Sequence, residues 1–67
     1  MIAIRVNGAD RALHEGATLA DAVSALTRAP GGIAVALDGA VVPRSQWPAT
    51  ALREGAQVEV VTAVQGG

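Results

Sequence analysis

The chain has no cysteine, so neither a disulfide nor a thiolate metal site can staple it. Its single histidine, His14, argues against a zinc site built from this chain alone. Phenylalanine and tyrosine are missing, which leaves Trp47 as the one aromatic side chain. The basic residues are five arginines, scattered at 5, 11, 28, 44 and 53, and the net charge is −1. That pattern gives no basic footprint for nucleic acid. No apolar run approaches the roughly 20 residues a membrane-spanning helix needs. The first residues also lack the charged-then-apolar layout of a signal peptide, so the expectation is a cytoplasmic protein without a membrane partner. There is no phosphate loop, because Gly31-Gly32 follows Pro30 rather than a strand, and no nucleophile–base or carboxylate pair that would mark an enzyme.

What is present is aliphatic. Ala, Val, Ile and Leu make up nearly all of the 51% apolar content of these 67 residues. A chain this short forms one domain and buries only about 60% of the surface its unfolded form exposes, so its core is thin.

Along the chain, Ile2, Ile4 and Val6 alternate with Ala3 and Arg5, the period of a half-buried strand. Asn7-Gly8 follows, a tight hairpin signal, and Ala9 to His14 is the return strand, polar enough for an edge. Thr18-Leu19-Ala20-Asp21 matches a capping box and opens a helix of about three turns with an apolar stripe at Leu19, Ala22, Val23 and Leu26. Pro30-Gly31-Gly32 ends it. Ile33 to Leu37 is a strand, Asp38-Gly39 a second tight turn, and Ala40 to Pro43 a short return that Pro43 confines to an edge. Arg44 to Leu52 reads as an irregular loop with one helical turn. Glu54-Gly55 turns the chain into the final strand, Gln57 to Val64.

That last strand carries Val58, Val60 and Val64 on one face and Val61 and Ala63 on the other, so it belongs in the middle of a sheet. Five short strands and one helix make a two-layer α+β domain over residues 1–64. If the final strand lies parallel to the first, the arrangement is a β-grasp, ubiquitin-like. Residues 65–67 form a flexible tail. Two glycines add nothing to packing. They do make a thin thread ending in an unhindered carboxylate, which is ionised near neutral pH and a poor electrophile until another protein activates it, as an acyl-adenylate made from ATP.

Four stretches together resemble the thiamine-biosynthesis sulfur carrier family (ThiS). They are the first strand with Asn7-Gly8, the helix opened by Gly16-Ala17-Thr18-Leu19, Val41-Val42-Pro43-Arg44 with Trp47, and Val58 through Gln65-Gly66-Gly67. Two residues depart from the family pattern, Asp38 where Asn is expected and Ala56 where an acidic residue is expected. The resemblance implies a protein substrate rather than an enzyme. A ThiF-like partner adenylates Gly67, a persulfide donor converts it to a thiocarboxylate, and thiazole synthase receives the sulfur. ATP and Mg²⁺ act on the partner, and this chain binds no cofactor. Partner contacts are expected from Gly66, Gln65, Val64, Val61, Arg44 and Trp47. For three of these a plainer reading stands beside the functional one: Arg44 as a solvated charge, Trp47 as the lid of the core, and Val61 with Ala63 as ordinary apolar surface. The alternatives to the carrier are a molybdopterin-synthase small subunit, a carrier for another sulfur pathway, and a β-grasp interaction module that never uses its end.

Overall fold

A computed structural model describes residues 1–26 and 32–62. Strand β1 (Ile2–Val6) and strand β2 (Ala9–Leu13) form the first hairpin, helix α1 (Leu19–Leu26) follows, and strands β3 (Ile33–Leu37) and β4 (Ala40–Val41) form the second. A 3₁₀ helix over Arg44–Ala49 then leads to strand β5 (Gln57–Thr62). The five strands form one mixed sheet in the order β2-β1-β5-β3-β4. β5 runs parallel to β1 and antiparallel to β3, which makes it an inner strand, the place expected of a strand apolar on both faces. The expected β-grasp arrangement is therefore the observed one.

The alternation in β1 sorts its residues as read: Ile4 and Val6 are buried, Ile2 is half-buried, and Ala3 and Arg5 are exposed. At both hairpin turns the central pair has positive φ, Asn7 and Gly8 at 51° and 82°, Asp38 and Gly39 at 49° and 88°. Those are the conformations a two-residue type I′ turn demands, and they explain an Asn or Asp followed by Gly.

The capping box forms at the start of α1. The Thr18 N–H donates to Asp21 Oδ2 at 2.8 Å, and the Asp21 N–H donates to Thr18 Oγ1 at 3.3 Å. The Leu19 N–H, another donor with no intrahelical partner, reaches the Thr50 carbonyl at 2.8 Å. Leu52 answers by donating to the Ala17 carbonyl at 2.9 Å, so residues 50–52 bridge to the start of the helix. The stripe Leu19, Ala22 and Val23 is buried against the sheet face that carries Ile4, Val6, Val35 and Val58. Ile4, Leu19, Val23, Val35 and Val58 are the largest side chains buried almost completely. Each such side chain contributes about 1.5–3 kcal/mol relative to staying in water.

Three boundaries differ from the sequence reading. The helix is described over Leu19–Leu26, and its expected stop at Pro30-Gly31 lies outside the described residues. His14 falls just beyond β2. β4 holds two residues rather than reaching Pro43. Val42 still donates to the Val35 carbonyl at 2.9 Å, but Pro43 has no N–H to carry the ladder further. Arg44–Ala49 is a six-residue 3₁₀ helix rather than a loop with a single turn. Pro48 inside it cannot donate a backbone bond, and the tighter winding turns Trp47 into the core. Ala63 and Val64, expected to complete the last strand, lie outside the described residues.

Candidate functional site

The residues on which the sequence reading places the chemistry, Gln65, Gly66 and Gly67, lie outside the described residues, as does Val64. What the structure describes is the platform they follow. β5, the last strand, is the central strand of the sheet, paired with β1 on one side and β3 on the other. Its start is fixed by Asp38, whose Oδ1 accepts from the Gln57 N–H at 2.9 Å while its own N–H donates to the Gln57 carbonyl at 2.8 Å. Further along, Asn7 reaches Val60: the Val60 N–H donates to Asn7 Oδ1 at 2.9 Å, and Asn7 Nδ2 donates to the Val60 carbonyl at 3.2 Å. Both contacts join residues far apart in sequence, and no local motif announced them.

Val61 lies on the sheet face away from α1 and is 62% exposed. It pairs with Ala34 across to β3, and Ala36 pairs in turn with Val41, which is 75% exposed. Ala34, Ala36, Val41 and Val61 thus line one apolar depression, with Glu59 at its side. The sequence reading named Val61 and Ala63 for this face and missed Val41. The alternation in Ala40-Val41-Val42 was the available signal, since Val42 is half-buried and its neighbour must point away.

Arg44 and Trp47 are brought together on the other side, in a depression lined also by Ala20, Val23, Ser24 and Pro48. They do not join Val61. Trp47 is 5% exposed and belongs to the core cluster, and its Nε1–H donates to the Val42 carbonyl at 2.9 Å. That geometry suits the lid of the core. Arg44 is exposed and makes no ion pair among the described residues. Ala56, where the family pattern led us to expect an acidic residue, is 4% exposed among apolar side chains, a place where a carboxylate would cost heavily.

Among the described residues no titratable side chain is buried. His14 is exposed, with Nε2 3.8 Å from Asp21 Oδ2. The Asp21 carboxyl is held below its ordinary range, chiefly by the Thr18 N–H, which outweighs the opposing cost of desolvation, and further by the Thr18 hydroxyl and the charge of His14. Among the described residues, no three His, Asp or Glu side chains converge as metal ligands. None of the described helices is long and apolar enough to cross a membrane.

Comparison with known proteins adds what the geometry cannot. The model of the ThiS family matches residues 4–67. The crystal structure of a thiamine biosynthesis protein (ThiS) from Geobacter metallireducens superposes with a TM-score of 0.82 at 29% identity, over 98% of this chain and 100% of that one. The NMR solution structure of a thiamine biosynthesis protein from the same organism gives 0.77 at 28% identity, over 98% and 88% of the two chains. Comparison with curated proteins gives no match. The family match runs from the first strand through Gly66-Gly67 and the shared fold spans nearly the whole length, and on both grounds the chain belongs to the ThiS family.

Proposed function

We propose that this chain is a sulfur carrier in the formation of the thiazole ring of thiamine, with Gly67 as the residue that carries the sulfur. The observation that supports it most is that the family match continues through Gly66-Gly67, the residues that follow the central strand of a β-grasp sheet. In this reading residues 1–64 are the body that partners recognise and residues 65–67 enter the active sites of other proteins. A ThiF-like enzyme joins the Gly67 carboxylate to AMP from ATP and releases pyrophosphate, and the acyl carbon becomes electrophilic. The terminal sulfur of a persulfide donor then displaces AMP to give an acyl disulfide. A thiol cleaves that S–S bond by forming a disulfide with the donor sulfur, and the thiocarboxylate released delivers its sulfur to thiazole synthase. Gly66 offers no Cβ to crowd the approach. ATP and Mg²⁺ belong to the activating partner, and this chain contributes the acyl group alone.

The test is intact-mass measurement. With ATP and Mg²⁺ alone the mass stays constant. With a ThiF-like enzyme, a persulfide donor and a thiol added, it rises by the difference between a sulfur and an oxygen atom, and fragmentation locates the gain at Gly67. Deleting Gly67 withdraws the carboxylate by about 3.5 Å of extended chain. A displacement of about 1 Å already costs about a hundredfold in rate, so the deletion variant should fold normally and stay unmodified. If it gains sulfur as fast as the intact chain, Gly67 is not the residue that carries it; if the intact chain gains none, the carrier reading is wrong and the module that never uses its end takes its place.

A further inference from the structure

Strand β5 is held unequally along its two sides. Five residue pairs join it to β3, from Leu37↔Val58 to Ile33↔Thr62. Only Arg5↔Gln57 and Val6↔Val58 join it to β1, because the chain leaves the ladder at Asn7, where φ of 51° begins the turn. The Asn7 backbone N–H still donates to the Val58 carbonyl at 2.9 Å. Had β1 run on, its next peptide group would have met Val60. The Asn7 side chain stands in that place, accepting from the Val60 N–H and donating to the Val60 carbonyl. A primary amide carries the same donor and acceptor as a peptide group, so the ladder gains a rung from a side chain.

We propose that Asn7 is a positioning residue: its amide locks the second half of β5, so that the segment after Thr62 starts from a fixed point when a carboxylate-activating enzyme takes up the chain. The proposal rests on the carrier reading above, and it adds a residue that reading does not contain. The position needs three properties at once, a tolerance of positive φ, a donor and an acceptor. Asn has all three. Gly supplies only the first, and an ionised Asp would turn a second oxygen toward the Val60 carbonyl. Without the rung, β5 beyond Val58 is held from the β3 side alone, and the ordered form that a partner binds is a smaller fraction of the population. Apparent affinity falls by that fraction, while the bound chain reacts as before.

The experiment uses the full chain with Asn7→Gly, which keeps the turn, and Asn7→Asp. Two hydrogen bonds at the sheet surface predict that in Asn7→Gly the protection of the Val60 amide against hydrogen exchange falls about tenfold. The amides of Val23 and Val35 keep their protection, which shows an intact fold. Asn7→Asp keeps the acceptor for the Val60 N–H but sets a second oxygen against the Val60 carbonyl. Its Val60 protection therefore falls below wild type at pH 7 and recovers at about pH 3, where the protonated carboxyl donates, while that of Asn7→Gly does not recover. In ATP–pyrophosphate exchange driven by a ThiF-like enzyme, Asn7→Gly raises KM for the carrier by the factor by which its ordered fraction falls, at most about tenfold, with kcat unchanged. Unchanged Val60 protection in Asn7→Gly overturns the proposal at the level of structure. Lost protection with an unchanged KM overturns it at the level of positioning. If the wild-type chain itself supports no exchange while the Val60 amide behaves as expected, the carrier reading fails and takes the positioning role with it, and the fault lies in the chemistry rather than in the rung.

Discussion

Asn7-Gly8 and Asp38-Gly39 fold into nearly the same backbone, yet the hairpins they open are held in different ways. The first pairs five residues with five, from Ile2↔Leu13 to Val6↔Ala9, and its strands sustain each other. The second pairs two with two and stops at Pro43. Its outer strand is secured from the core, by the Trp47 indole on the Val42 carbonyl. The turn residues differ in the same spirit. Asn7 spends both a donor and an acceptor on β5, whereas Asp38 uses its side chain only as an acceptor and lets its backbone N–H donate. Asp therefore serves at 38, where the family pattern led us to expect Asn, and would not serve at 7. One local turn signal supports two kinds of anchoring, and the surroundings of β5 decide which.

Trp47→Ala should break the comparison most severely. Removing the one aromatic side chain from this core costs about 3 kcal/mol or more, a large share of what so small a domain has. Urea denaturation measures the loss. Hydrogen exchange should show the β3–β4 hairpin opening before the β1–β2 hairpin. Trp47→Phe keeps the ring but leaves the Val42 carbonyl without that donor, at about 1 kcal/mol. Equal loosening of both hairpins in these variants would mean that the second is not held from Trp47.

Asp21 gives a smaller and pH-dependent effect in the helix that joins the two hairpins. Its carboxyl is depressed in the folded chain, so the stability it adds is complete above the ordinary carboxyl pKa, 3.8 for this residue, and is lost as the pH falls toward the folded value. Thermal unfolding of Asp21→Asn should therefore fall below wild type at pH 7, and the two curves should converge below about pH 3. A gap that stays constant with pH would show that shape rather than charge makes the cap. The smallest effect is expected for Asp38→Asn, within about 0.5 kcal/mol of wild type at pH 7, because the acceptor survives. A loss as large as that of Asn7→Asp would erase the distinction between the turns.

The strands, both tight turns, the capping box and the burial stripe of the helix were legible because each is written in residues no more than a few positions apart. Asn7-Gly8 and Asp38-Gly39 fix their own backbone through φ, and Thr18 and Asp21 satisfy each other's N–H groups, whatever the rest of the chain does. The apolar residues on both faces of β5 also settled from sequence that it is an inner strand. The Gly66-Gly67 pair suggested the chemistry through its lack of side chains. Where the helical turns of Arg44–Ala49 go, and that Trp47 faces inward, depended on a core contributed by α1, β3 and β5. The same holds for the grip of Asn7 on Val60, of Asp38 on Gln57 and of Thr50 on Leu19, and for the separation of Arg44 and Trp47 from Val61 onto opposite sides of the sheet. Those contacts join positions far apart in the chain, and closing such loops costs entropy that only the assembled core repays. Local chemistry chose the pieces, and packing chose which backbone groups their side chains would meet.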